Sequence, residues 1–125
     1  MAFVKSTSTV TDTALTVPNL TGGTDGRVVR ITGNNTATDA SNTNTIGQLN
    51  SLLFKQGGIY YSSGLITGLS GLSAGTSYFL STGGTLTATA PTPTSPTTTG
   101  VKAVYIGFAI NTTDLIFRPQ FPIAG

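Results

Sequence analysis

The stretch Ser77-Tyr78-Phe79-Leu80-Ser81-Thr82-Gly83-Gly84-Thr85-Leu86-Thr87-Ala88-Thr89 decides the fold. Both halves are rich in Thr, aromatic and aliphatic residues, which favour strands and crowd at χ1 in helices. Gly83-Gly84 supplies the two positive-φ positions that a type I′ loop demands, so a two-residue turn is predicted to join two antiparallel strands. Downstream, Ala90-Pro91-Thr92-Pro93-Thr94-Ser95-Pro96 cannot continue a ladder, because proline has no N–H to donate. It reads as an extended surface connector. Residues 101–110 then form the central strand. Val104, Ile106, Phe108 and Ile110 alternate onto one face, and Tyr105, Gly107 and Ala109 onto the other, so both faces are expected to be covered. Asn111-Thr112-Thr113-Asp114 turns the chain into Leu115-Ile116-Phe117, and Arg118-Pro119 ends the pairing.

Upstream the same logic holds. Gly22-Gly23 and Asp25-Gly26 form a turn cluster before the strand Arg27-Val28-Val29-Arg30-Ile31-Thr32, with Val29 and Ile31 on one face. Residues 33–45 are all polar, Gly or Ala and read as a long loop, a length that in a compact domain often accompanies contact with something. In residues 46–56, Ile46, Leu49 and Leu53 fit a helical stripe, while Leu52 and Phe54 fit a strand. The strand is preferred. Ile59-Tyr60-Tyr61 and Leu65-Ile66 flank Ser62-Ser63-Gly64, a tight hairpin or a bulge. With many short strands and no convincing helix, the prediction is an all-β fold: an antiparallel β-sandwich or small barrel, jelly-roll-like. Residues 22–119 form this β domain. Residues 1–21 are an N-terminal arm or edge strand, and residues 120–125 a C-terminal tail.

Composition limits the chemistry. The chain has 125 residues, of which only 8% are charged against a usual ~25%. Leu, Ile, Val and Phe are frequent enough for one core. Thr, Ser, Gly and Asn supply most of the remaining positions. Cys, His, Glu and Trp are absent. That excludes thiolate, zinc-finger and imidazole chemistry, and no cofactor or metal site is expected. The carboxylates Asp12, Asp25, Asp39 and Asp114 are far apart in sequence and suit turns better than paired-carboxylate catalysis. The chain is not expected to be an enzyme. Asn34, Asn35, Asp39 and Asn42 make an oxygen-rich stretch, but one carboxylate is a weak calcium site. The cations Lys5, Arg27, Arg30, Lys55, Lys102 and Arg118 are scattered and read as solvated charges, so no nucleic-acid partner is expected. Residues 56–101 carry no formal charge. No apolar run approaches the ~20 residues of a membrane span, and no membrane partner is expected.

Residues 68–119 carry a resemblance. Gly68-Leu69-Ser70-Gly71-Leu72-Ser73-Ala74-Gly75-Thr76-Ser77-Tyr78-Phe79-Leu80-Ser81-Thr82 precedes Gly84-Thr85-Leu86-Thr87 and Ala90-Pro91. Val104-Tyr105-Ile106-Gly107-Phe108-Ala109-Ile110 and Leu115-Ile116-Phe117 follow. This resembles a β module of tailed-bacteriophage virion proteins, found in tail fibres, tailspikes and small capsid-decorating (cement) proteins. It covers about 52 of the 125 residues. Met1 and an end just past the module point to a stand-alone protein rather than a segment of a long fibre. The resemblance implies a non-enzymatic capsid decoration protein, commonly a homotrimer, bound to the major capsid protein on the outer surface of the virion. The alternative it allows is a tail-fibre, tailspike or head-fibre component for virion attachment or receptor binding. A carbohydrate-binding module using Tyr60, Tyr61, Tyr78 and Tyr105 is a further possibility, less favoured because Tyr in strands is more often half-buried packing.

The residues expected to meet partners lie at the two ends. Phe3, Val4, Lys5 and Val10 punctuate a strand-prone segment too poor in anchors to offset its own ordering entropy. Phe121 and Ile123 sit among prolines in the tail. Added to an exposed sheet edge, the N-terminal segment would gain a row of main-chain hydrogen bonds, with its apolar residues filling pockets.

Overall fold

The structure is a computed structural model and describes residues 13–95 and 98–120. Nine strands follow in chain order: β1 (Leu15–Thr16), β2 (Arg27–Ile31), β3 (Ala37–Asp39), β4 (Leu52–Gln56), β5 (Ile59–Ile66), β6 (Thr76–Leu80), β7 (Leu86–Thr87), β8 (Tyr105–Ala109) and β9 (Leu115–Phe117). All strand pairs are antiparallel, in the order β3-β2-β4-β5-β9-β8-β6-β7, with β1 added beside β5. The expected all-β fold takes the form of one sheet curled into a half-barrel. The concave side holds the main core, in which Val28, Phe54, Ile66, Leu80, Ile106, Leu115 and Phe117 are fully buried. Phe54 and Phe117 meet there edge to face, with ring centroids 5.8 Å apart.

The open side is closed by a seam. Asn42 is buried between β2 and the β6–β7 hairpin. Its backbone N–H donates to the Ser81 carbonyl at 3.2 Å, its carbonyl accepts from Lys102 N–H at 2.9 Å, and its Nδ2 donates to the Leu80 carbonyl at 3.3 Å. Two residues earlier, Ala40 N–H donates to the Val28 carbonyl of β2. The 82–84 turn also presses directly on β2. Arg27 Nη1 reaches the Gly83 carbonyl at 2.9 Å. A side chain on Gly84 would collide with the Val28 backbone.

The convex side is covered over half its extent. On β2, β4 and β5 the outward residues Val29, Leu53 and Tyr60 are buried beneath Val17 and Leu20 of the N-terminal segment. Val17 N–H donates to the Tyr60 carbonyl at 2.9 Å, and Tyr60 Oη donates to the Gly22 carbonyl at 2.6 Å. Residues 13–21 are therefore docked on the domain. The expectations about Phe3, Val4, Lys5 and Val10 lie outside the described residues.

Several local expectations are corrected. Residues 33–45 are not all loop: Ala37–Asp39 pairs with β2, and Thr21 bridges to Thr36 on its far side. Residues 46–56 split into a short 3-10 turn, Gln48–Ser51, and β4. Of the two alternatives for Ser62-Ser63-Gly64, the structure shows the bulge and not the hairpin. β5 runs straight through this stretch, and Ser62 is skipped where Leu15 pairs with Ser63 and Thr16 with Tyr61. The β4–β5 hairpin turns instead at Gly57-Gly58, both at positive φ. Gly83 and Gly84 have the predicted positive φ, but the loop is wider than two residues. Phe79 pairs with Thr87 and Leu80 with Leu86, while Ser81 N–H bonds the Thr85 carbonyl.

The central strand spans only Tyr105–Ala109, and its faces differ from strict alternation. Tyr78 pairs with Gly107 and Phe79 with Tyr105, so Ile106 bulges. The bulge resets the alternation: Ile106 and Ala109 both enter the core, and Phe108 faces outward at 37% exposure. The two faces are thus not both covered. Past Pro119 the chain stays beside β8, since Gln120 N–H donates to the Tyr105 carbonyl at 3.0 Å.

Gly64 sits where the N-terminal segment crosses β5, at φ 105°. A Cβ there would overlap the Thr13 carbonyl and Ala14 Cα. Gly71 has a similar φ of 77° but open space around it. Gly71→Ala should therefore carry the backbone cost alone, about 1–2 kcal/mol. Gly64→Ala should lose roughly a further 1–2 kcal/mol by displacing Thr13 and Ala14. Urea unfolding of the two variants measures the difference; equal losses would mean that docking of this segment adds nothing to stability.

Candidate functional site

The predicted partner-binding residues Phe3, Val4, Lys5, Val10, Phe121 and Ile123 lie outside the described residues. The structure does fix where the flanking chain sits. Thr13 and Ala14 pack against Gly64 of β5, and Gln120 bonds to Tyr105 of β8. Strand β9 lies between β5 and β8, with Gly64 paired to Phe117 and Phe117 to Gly107. Both described ends of the sequence thus converge on one half of the sheet.

Most of the described charged groups tie parts of the fold together. Asp39 accepts from Thr24 N–H and Thr24 Oγ1, both at 2.8 Å. Asp25 accepts from Gly58 N–H at 3.0 Å and ties the β2 entry to the β4–β5 turn. Asp114 accepts from Asn111 Nδ2 and Thr113 Oγ1, completing the predicted turn into β9. The expectation of solvated cations fails in part. Lys102 is buried, and its Nζ donates to the Gly100 carbonyl at 2.7 Å. Lys55 Nζ donates to the Gly23 carbonyl and lies 5.2 Å from the Tyr60 ring centroid. Arg30 Nε is buried without a hydrogen-bond partner.

Other candidate groups are dispersed. Asp39 is turned to Thr24 and Asn42 is buried in the seam, so the oxygen-rich stretch forms no cation site. Among the described residues no three His, Cys, Asp or Glu side chains cluster. No helix among them is long and apolar enough to cross a membrane. The tyrosines form no common sugar-stacking platform. Tyr60 and Tyr78 are buried, with Tyr78 Oη accepting from Ser73 N–H at 2.8 Å. Tyr61 packs against the core, and Tyr105 meets Phe79 edge to face at 5.9 Å. Two shallow clefts are lined by uncharged residues. One, of about 210 Å³, opens at the barrel mouth between Phe54, Gln56, Leu72 and Leu86. The other, of about 220 Å³, lies between residues 16–20 and 58–60.

Sequence reading missed the outward apolar face of β5, β9, β8 and β6. Pairing sets Leu65 against Ile116, Ile116 against Phe108 and Phe108 against Ser77. The signal was Gly107 inside an otherwise apolar strand. A Cβ at Gly107 would collide with the Ile116 carbonyl, so the glycine marks close approach of β9, and the adjacent bulge turns Phe108 outward.

These geometries predict a structural role for the carboxylates. Asp39→Asn, Asp25→Asn and Asp114→Asn should each lower stability by about 0.5–2 kcal/mol in urea unfolding, with Asp39 at the upper end because its two bonds tie it to Thr24, distant in sequence, whereas the two that Asp114 accepts are local. Binding to any partner should be unchanged once the variants are folded. A hydrolytic activity abolished by one of these substitutions would contradict this role. Compared with known proteins, the chain matches no family model, no curated protein and no solved structure.

Proposed function

We propose that this chain is a bacteriophage capsid decoration protein, a non-enzymatic homotrimer that binds the major capsid protein on the outer surface of the virion and stabilises the head. One observation carries the reading. The stretch resembling the phage virion module, residues 68–119, supplies β6, β7, β8 and β9, which are contiguous in the sheet as β9-β8-β6-β7. The resemblance therefore falls on one structural unit rather than on scattered strands. Its motif residues also have physical roles. Gly107 permits the close approach of β9, Gly83 and Gly84 supply the positive φ of the loop, and Tyr78 and Leu80 enter the core.

Surface chemistry supports the same reading. Hydroxyls and amides dominate, and several of the few charges are committed to backbone groups. Such a surface docks on another protein with little charge to desolvate. Within this reading Phe3, Val4, Lys5 and Val10, with Phe121 and Ile123, contact the shell. Convergence of the flanking chain on β5 and β8 would bring both sets to one side of the domain.

The test is quantitative mass spectrometry on fractionated virions of the phage that encodes the chain, with binding to undecorated heads measured in parallel. High copy number on heads is expected; low copy number confined to tails would overturn the reading in favour of a fibre component. Deleting residues 2–12 should leave the melting temperature nearly unchanged, since β1 and Val17 are retained. Head binding should fall by about tenfold or more and depend only weakly on salt, because Lys5 is the single charge removed besides Asp12.

A further inference from the structure

We infer that Arg30, with the hydroxyls of Thr32, Thr36 and Thr38 around it, is a contact point for a carboxylate on the surface of a partner protein. For the identity of that partner, the major capsid protein, this rests on the decoration reading above, and it adds the chemistry of one contact. Arg30 carries a charge that no other described group uses. Arg27, Lys55 and Lys102 each donate to a backbone carbonyl. The Arg30 guanidinium has no hydrogen-bond acceptor or ion-pair partner among the described residues. Its Nε is buried while the residue as a whole is half-buried, so the outer nitrogens are the part that solvent reaches.

β2 and β3 place the hydroxyls. Arg30 is paired with Thr38 of β3 on one side and with Leu52 of β4 on the other. Paired residues share a face of the sheet, so Arg30 lies on the face of buried Val28 and Leu52, at the rim where the core ends. Two residues on, Thr32 closes the hairpin: its N–H donates to the Thr36 carbonyl at 2.9 Å, and the two hydroxyls meet at 2.9 Å. Thr36 and Thr38 alternate with Ala37, which is buried on the opposite face. The guanidinium and three exposed hydroxyls thus share one face of the hairpin. No described acid joins them. Asp39, the next residue, pairs with Val29 on the other face, and its two oxygens accept from Thr24.

The chemistry of the set selects the ligand. A guanidinium presents its outer N–H groups as a fork that matches the two oxygens of a carboxylate, and Thr hydroxyls donate to the same kind of acceptor. Packing around Nε holds the fork in place before any ligand arrives, which lowers the ordering cost of binding. The set holds one positive charge, which one carboxylate balances and a phosphate dianion exceeds. A single pair of this kind changes affinity by about ten- to a hundredfold. That is too little to retain a free anion at millimolar concentration, and enough to matter when the rest of a protein surface arrives with the carboxylate. A second copy is a poor source of that group, because its described carboxylates, Asp25, Asp39 and Asp114, are each engaged by donors of their own chain. The fitting partner is therefore a different protein.

Two measurements on the full chain test this contact. In the first, the guanidinium resonances of Arg27, Arg30 and Arg118 are followed by NMR as sodium acetate is added to about 200 mM, a range set by so weak a pair. The Arg30 signal should move severalfold further than the other two. Equal movement of all three would overturn the inference. So would a shift of Arg30 by inorganic phosphate at about a tenth of the acetate concentration, which would make the ligand a phosphate. In the second, Arg30→Gln, folded by circular dichroism, is compared with wild type in binding to undecorated heads. Its affinity should be about ten- to a hundredfold lower. Arg30→Lys keeps the charge without the fork and should lie between the two. If Arg30→Gln does not fold, Thr38→Val keeps strand propensity and should weaken binding severalfold. A folded Arg30→Gln that binds heads as wild type does would overturn the inference. A wild type that ignores heads while acetate moves Arg30 selectively would instead remove the decoration reading and leave the carboxylate site standing.

Discussion

Asn42 closes the sheet on itself. β2 and β6 lie five positions apart in strand order, and curling the sheet into a half-barrel brings them near each other without letting them pair. The space between them is bridged by a segment whose backbone must satisfy both sides. Ala40 bonds to Val28, and Asn42 bonds to Leu80, Ser81 and Lys102. Each such hydrogen bond adds only about 0.5–1.5 kcal/mol net, but a buried backbone group left unpaired costs more. The seam is therefore tied to the curvature of the sheet. It explains why a stretch as polar as residues 33–45 contains buried Ala40 and Asn42, whereas Ala37 is buried on the convex side beneath Val17 and Leu20. Small side chains fit between two backbones, and Asn adds a donor where a strand partner is missing.

Curvature then divides the surface into unequal faces. The concave side is filled by the strands' own side chains and by Leu49, Leu72 and Val104 from the connections. Among the described residues no second sheet covers the convex side. Over β2, β4 and β5 the chain supplies its own roof from residues 17–20, anchored through Tyr60. That roof begins where Thr13 and Ala14 cross Gly64 and continues to the bridge at Thr21. It does not reach β9, β8 and β6. Among the described residues, one half of the outer surface is sealed in this way, and Phe108 on the other half remains exposed.

How much of this was legible in the sequence depended on where the determining interaction lay. The 111–114 turn was readable because Asn111 and Asp114 bond groups within three residues of themselves. The positive φ at Gly83 and Gly84 was readable for the same local reason, although the loop width was not. That width depends on Ser81 reaching both Thr85 and Asn42. β3 was missed because its three residues carry no apolar alternation; its role is backbone pairing between β2 and Thr21. The face of Phe108 was misassigned because a bulge at Ile106 shifts the register, and a bulge is a property of two strands rather than one. Of the candidate site, the turn role of Asp114 could be anticipated from local chemistry; Asp25, whose carboxylate reaches Gly58, and Asp39, which sits in β3 and reaches Thr24, act across the chain instead of within a turn. The outward row of Leu65, Ile116 and Phe108 could not be anticipated, since it requires the pairing of β5, β9 and β8.

The fate of the charges links fold to function. The chain has only ten charged side chains, six Lys or Arg and four Asp. Arg27, Lys55 and Lys102 donate to backbone carbonyls, while Asp25 and Asp39 accept from backbone N–H groups. These groups tie turns and loops to neighbouring strands, a role that in other domains often falls to larger cores or disulfides. Of the described charged side chains only Lys102 is buried, so the outer surface carries about the few charges that composition implies. Long-range electrostatic steering is weak for such a surface, so recognition must come from short-range fit of hydroxyl, amide and apolar groups. Contact of that kind gains from repetition. On a shell that presents the same site many times, a modest affinity per contact is multiplied by a neighbouring copy already in place. Within the decoration reading, so charge-poor a domain suits a repetitive lattice better than it suits the capture of a dilute charged ligand.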